Sequence, residues 1–194
     1  LEANATLYRT ELRDFQDRSF DGLSFITRNA GDLRVQGLEV DFRWRPLEKL
    51  TLMGGFSFLD SEFLDYAMAP GLPGASMPQD LSGQSNHRSP KWQGSLTANW
   101  HDQLGNTDWD WFVQGNVQYV SEQNLGGATN NNPQTVQEAY SLVNLRAGIE
   151  SQDTRWRLEA YVDNVSDKGH CTAYFDQPFG QQLGAVDTAN NQSL

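Results

Sequence analysis

Cysteine is almost missing from this chain of 194 residues: Cys171 stands alone, so no internal disulfide can staple the fold, and an unreactive thiol is expected. Basic side chains are scarce too. Fourteen Lys and Arg stand against 25 Asp and Glu, a formal net charge of −11, so a polyanion is repelled and no nucleic acid is expected as a partner. Histidine occurs only at positions 87, 101 and 170, with no His-x-x-x-His or Cys cluster, so neither a metal nor a cofactor is expected. The glycines of "GLPGAS" (71–76) and at 126–127 lack the strand-to-helix context of a phosphate loop. No Ser, His and Asp set can be ordered into a triad. The chain reads as no enzyme.

Long apolar runs are also lacking. Nothing approaches the ~18–20 residues of a membrane-crossing helix, and the mean hydropathy is −0.62. That value does not decide the environment, because strands that cross a membrane alternate instead of running apolar.

What is present is alternation. In "QGLEVDFRWRP" (36–46), Leu38, Val40, Phe42 and Trp44 interleave with Glu39, Asp41, Arg43 and Arg45, so one face of a strand is dry and the other wet. "PKWQGSLTANW" (90–100) sets Trp92, Gly94, Leu96, Ala98 and Trp100 against Gln93, Ser95, Thr97 and Asn99. "DWDWFVQGNVQYV" (108–120) does the same with Trp109, Trp111, Val113, Gly115, Val117 and Tyr119, and only Phe112 breaks the rule. With 5–15, 51–63, 140–150 and 155–165, seven strands are expected, and an eighth after residue 170. They run ~10–13 residues, near the length a tilted strand needs to cross hydrocarbon.

Short connections at 46–50, 101–107 and 151–154 take turns with long ones at 16–32, 64–89, 121–139 and from 166 onward. In an antiparallel meander this places all short turns at one end, as in outer-membrane barrels. Trp44, Trp100, Trp109, Trp111 and Trp156 lie near the short turns, whereas Trp92, Tyr119 and Tyr140 lie near the long loops. Rings with an apolar body and a polar tip settle at lipid headgroup level. Mid-strand positions are often small, as at Gly54, Gly94, Ala98, Gly115 and Ala160, which suits lipid chains better than a packed core. The expected fold is all-β, an antiparallel up-and-down transmembrane β-barrel segment of about seven to eight long strands. Leu38, Val40, Phe42, Trp44, Leu96, Trp100, Trp109, Trp111 and Trp156 are expected to face lipid, and Glu39, Asp41, Arg43 and Arg45 a wet lumen.

Three segments resemble a known family. "NAGDLRVQGLEVDFRWRP", "DLSGQSNHRSPKW" and "YVDNVSDK" are similar, in order, to the N-A-G…G-x-E-x-(D/E), D-x-S-G…P-K-(W/F) and N-L-(F/T)-D-K elements of TonB-dependent outer-membrane receptors. Val165 and Ser166 stand where the family has Leu and an aromatic, and the tail "QQLGAVDTANNQSL" lacks the family's closing strand with its C-terminal aromatic. The resemblance implies that residues 1–194 are the C-terminal part of a plugged 22-stranded barrel, without plug domain and N-terminal strands, and a fragment or truncated product. It also implies a Gram-negative outer membrane, lipid as surroundings, and a TonB complex engaged through the missing N-terminal region. The implied function is uptake of a scarce ligand of the ferric-siderophore kind.

Loop groups expected to touch such a ligand are Tyr66, His87, Asn124 and Asn130, on loops facing the cell exterior. Asp60, Glu62 and Asp65 form an acidic cluster that suits a solvated loop face better than a Ca²⁺ site. Two other readings stay open on the residues alone: a soluble all-β carbohydrate-binding module, and a small eight-stranded outer-membrane barrel.

Overall fold

The computed structural model describes residues 1–174 apart from 21–24, 76 and 127–128, and only the backbone of 19, 20, 25 and 26. Seven strands form one antiparallel sheet: β1 (Glu2–Leu12), β4 (Asp32–Leu47), β5 (Leu50–Asp65), β6 (Trp92–Gln103), β7 (Trp109–Val120), β10 (Tyr140–Ser151) and β11 (Arg157–Val162), paired in that order. The expected meander is therefore present, open at β1 and β11. The long connections carry two small hairpins that alternation did not disclose, β2 (Gln16–Phe20) with β3 (Phe25–Asn29), and β8 (Gln123–Asn124) with β9 (Val136–Gln137). Among the described residues the one helical element is a 3-10 turn at Pro133–Thr135. The expected eighth strand and the atypical tail lie largely outside the described residues.

Register decides which residues share a face. Leu38 stands opposite Leu7 and Phe58, Val40 opposite Phe56, Phe42 opposite Gly54, and Trp44 opposite Leu52. The rows continue through Leu96 to Val117, Trp100 to Val113 to Ala147, and Trp111 to Ile149 to Leu158. Eight of the nine residues expected to face lipid lie on the apolar side of the sheet, with Trp109 two positions from Trp111, and Trp156 stands exposed just before β11. Among the described residues nothing covers this face: Phe56, Leu96, Val113, Leu145 and Trp156 are all exposed. From Leu50 to Phe58 the stripe runs about 26 Å along β5, or about 20 Å across a bilayer at ~40° tilt, against an apolar band of about 25 Å in outer-membrane barrels.

Two expectations need correction. The mid-strand glycines 54, 94 and 115 are not bare, because a neighbouring ring or branch lies over them. A Cβ on Gly54 would stand 2.7 Å from the Phe42 ring, and one on Gly94 3.8 Å from that of Phe56. Lipid therefore does not have those positions to itself. Tyr140 pairs with Val120 and so faces the polar side, its ring stacked on His170 at 4.6 Å, whereas Trp92 and Tyr119 do lie at the long-loop edge of the apolar face.

Polarity inverts along β4 and β5. Beyond Leu38 and Phe58 the apolar face turns charged, with Gln36 opposite Asp60 and Arg34 opposite Glu62. The other face turns apolar, as Leu33 and Phe63 pair and join Ala30, Tyr66, Ala69 and Leu81 in the buried core. At 16 residues these strands are about 50 Å long, beyond what a bilayer needs. Their far ends support a small water-type core under the long connections. Asp60 and Glu62 are thus strand residues paired with Arg34, not the solvated loop cluster that was expected.

Candidate functional site

The long-loop end is built by local devices that the three motifs encode. In N-A-G, the Asn29 Oδ1 accepts the Gly31 amide at 2.8 Å, and Ala30 is fully buried. Gly31 adopts φ 66°, where any Cβ would sit 2.1 Å from the Asp65 carbonyl oxygen. Only glycine fits that approach. In D-L-S-G, the Asp80 carboxylate accepts the Ser82 amide at 2.9 Å, and the Ser82 hydroxyl first and then this amide hold its pKa below the usual range. Leu81 is buried and its amide donates to the Tyr66 carbonyl at 3.0 Å, while Gly83 at φ 79° donates to that of Phe63 at 2.7 Å. In Y-V-D-N-V-S-D-K, the Asn164 Oδ1 accepts the Lys168 amide at 3.0 Å and ends β11 in a closed turn.

At the centre lies Asp17, from the β2–β3 hairpin, 6 % exposed. Its Oδ2 accepts the Tyr66 hydroxyl at 3.0 Å and its Oδ1 the Thr129 hydroxyl at 2.8 Å. The Thr129 hydroxyl has one proton and gives it to Asp17, so toward His87 Nδ1, 3.3 Å away, it accepts. Asn86 Oδ1, also an acceptor, lies 3.1 Å from the same nitrogen. Both contacts require a proton on Nδ1, which leaves the lone pair of the neutral ring on Nε2. Burial pushes the His87 pKa down, with the Arg88 charge adding to this and Asp17 opposing it. Burial and the Asp17 charge push the Tyr66 hydroxyl well above its ordinary value.

The four expected ligand contacts are accordingly placed as follows. Tyr66, 2 % exposed, is a core residue whose ring packs on Phe63 at 4.9 Å, which corrects its assignment as a ligand-facing group. Asn130 is also buried, its carbonyl accepting Gln79 Nε2 at 2.6 Å, and the same correction applies. Asn124 is half-buried and organises its own loop, donating to the Asn132 carbonyl at 2.8 Å and accepting the Thr135 hydroxyl at 3.0 Å. His87 is half-buried with Nε2 unengaged by any hydrogen bond among the described residues. The structure thus brings Tyr66 and His87 into one network through Asp17 and Thr129, two residues that sequence reasoning passed over. No periodic signal marks them, since Asp17 sits in the five-residue strand β2 and Thr129 in a loop.

The polar face of the sheet is a ladder of amides and charges. Asn116 donates to Thr97 Oγ1 at 3.0 Å and accepts from Asn144 at 3.3 Å, whose Oδ1 takes the Asn164 amide at 2.8 Å. Asp41 accepts from Asn4 at 2.9 Å, and a hollow of about 440 Å³ opens around Gly55, lined by Glu2, Asp41, Arg43, Met53 and Thr97. Phe112, the exception in its strand, lies on this face at 5 % exposure: its ring covers Gly148, and the Arg157 guanidinium stands 4.2 Å above it. Arg157 is itself held by Glu150 at 2.9 Å and Glu159 at 2.7 Å. One apolar side chain is thereby made compatible with a wet surface.

A sheet dry on one face and laddered with amides on the other agrees with the match of residues 1–165 to the β-barrel family described as TonB dependent receptor-like. The chain belongs to the TonB-dependent receptor β-barrel family. Three solved structures share the fold. The ferric yersiniabactin uptake receptor FyuA from Yersinia pestis matches at a TM-score of 0.66 and 18 % identity, over 90 % of this chain and 24 % of that one. The siderophore receptor PiuA from Acinetobacter baumannii matches at 0.65 and 19 %, over 89 % and 23 %. BauA, the ferric preacinetobactin receptor from the same organism, matches at 0.60 and 20 %, over 87 % and 23 %. The chain therefore spans about a quarter of the length of these three receptors.

Proposed function

We propose that this chain is a wall sector of an outer-membrane receptor that takes up a ferric siderophore with energy relayed by a TonB complex. The observation that carries the reading is the two-sided sheet in a member of this family. One face offers lipid an apolar belt edged by Trp44, Trp100 and Trp111 at the short-turn end and by Trp92 and Tyr119 at the other. The other face offers a water-filled lumen the Asn116 ladder and the Arg157 cluster. The similarity to siderophore receptors supports the ligand class.

In this reading the long connections face the cell exterior. The pairing of Ala69 with Gln79, at 3.0 Å in both directions, closes a loop whose Leu72 and Met77 stand in solvent, with Met68 exposed at its base. Polarisable thioethers and a branched chain on a closed loop suit a bulky ligand with aromatic or apolar parts. Catalysis has no part in this reading.

The test is complementation. A receptor carrying this segment, expressed in an iron-starved Gram-negative host without siderophore receptors of its own, is expected to restore radio-iron accumulation from at least one ferric siderophore. Accumulation should require an intact energy-coupling complex. Restored uptake of cobalamin, haem or a glycan, with none of any iron complex in a hydroxamate, catecholate and mixed-ligand panel, would overturn the ligand class.

A further inference from the structure

We infer that the three long connections at this end of the sheet form one rigid body keyed by Asp17, and that this body stays closed during transport, a fixed wall and not a lid. The transport half of the inference rests on the uptake reading above.

Asp17 belongs to the β2–β3 hairpin, Tyr66 and His87 to the β5–β6 connection, and Thr129 to the β7–β10 connection. A buried carboxylate that takes its hydrogens from two separate loops cannot lose either loop without being left short of donors in a place water does not reach. The two larger connections are also tied to each other by one main-chain hydrogen bond and by two from side chains to main-chain carbonyls. The Arg88 amide donates to the Asn124 carbonyl at 2.8 Å, Gln79 Nε2 to the Asn130 carbonyl at 2.6 Å, and Asn131 Nδ2 to the Ser85 carbonyl at 3.0 Å. Beneath them the apolar core of Leu33, Phe63, Tyr66 and Leu81, with Phe15 against it, joins the first connection to the second. Segments that open during function have few buried contacts and solvent-exposed hydrogen bonds. The Asp17 network has the reverse, since Asp17, Tyr66 and Thr129 are all buried.

Parting any one connection breaks ties to both of the others, so their motions are coupled and small. A ligand gate, where the receptor has one, then lies in other sectors of the ring, and this sector supplies the surface against which it closes.

Two measurements test the inference. In the full-length receptor in lipid vesicles, Thr129→Val keeps side-chain shape and removes the hydroxyl. It is expected to speed amide exchange about tenfold in residues 15–18, 64–70 and 129–137 together, with β6 and β7 unchanged. Asp17→Asn is expected to do the same. Faster exchange confined to 129–137 in Thr129→Val, or to 15–18 in Asp17→Asn, overturns the single body.

Second, cysteines at Ser85 and Asn131, in a Cys171→Ser background, are joined by a short bis-maleimide, with each single cysteine carrying the same reagent as control. Ferric-siderophore uptake is expected to stay within about twofold of the controls, whereas a fall of about tenfold shows that these loops must part and overturns the fixed wall. If the controls take up no iron complex, the uptake reading and the fixed wall fail together, and the exchange experiment still decides the single body.

Discussion

The Thr129 hydroxyl donates to the Asp17 carboxylate at 2.8 Å across 112 positions of sequence. The two residues lie in different connections of the sheet, so this hydrogen bond reports whether the long-loop end has assembled. Removing the Tyr66 hydroxyl on the other side of the same carboxylate tests its share. Tyr66→Phe is expected to cost about 1–3 kcal/mol of local stability, since it strips one donor from a buried charge. The readout is the opening free energy of residues 64–70 by hydrogen exchange. An unchanged value would mean that water replaces the hydroxyl.

Gly31→Ala places a methyl group 2.1 Å from a backbone oxygen at a φ of 66°. The neighbour is main chain and cannot swing aside, so the β3–β4 corner must shift. We expect a loss of at least about 1–2 kcal/mol, read as faster proteolysis of the loops on intact cells at unchanged receptor abundance. Gly83→Ala, where the added Cβ meets nothing within 4 Å, is the matched control for backbone conformation alone.

The two faces of the sheet predict opposite outcomes for the same new charge. Val40→Arg and Leu96→Arg put a guanidinium on the apolar belt and are expected to cost about 2–4 kcal/mol of insertion near the midplane. Gln114→Arg, on the polar ladder between Asn99 and Arg146, is expected to be tolerated. Yield of heat-modifiable receptor in the outer membrane measures both.

The His87 pKa is lowered in the folded protein, chiefly by burial, so between that lowered value and its ordinary ~6.5 the opened state binds more protons than the closed one. The stabilisation is fully present above ~6.5 and is lost as pH falls through the folded value. Protection of residues 79–90 from exchange, corrected for intrinsic rates, is expected to decline over that window. His87→Gln, which retains a donor but does not titrate, is expected to flatten the decline.

Among the described residues β1 and β11 have no outer partners, and nothing covers the apolar face. Expressed as residues 1–194 alone, the chain is expected to associate or to need detergent. A monodisperse, detergent-free monomer with a cooperative thermal transition would show that neither edges nor belt require a partner.

Strand positions, pairing order and the division of faces were legible in the chain because a pleated strand has a period of two, and Leu38 to Trp44 or Trp92 to Trp100 record it directly. The turn devices were partly legible: N-A-G and D-L-S-G stood out as motifs, although their reasons, a close backbone approach at Gly31 and a carboxylate-capped turn at Asp80, are matters of geometry. The charge pairing at the far ends of β4 and β5 was not legible, because Asp60 and Glu62, inside the expected strand 51–63, look like a solvated acidic cluster until Arg34 is seen beside them. The assembly of the long connections was not legible at all. Contacts such as Asp17 with Tyr66 and Thr129 join residues with no common spacing, and which loops meet depends on how the seven strands bring their ends together. Local periodicity set the wall of this receptor sector, and tertiary packing alone decided that its loops interlock and that Tyr66 lies beneath them.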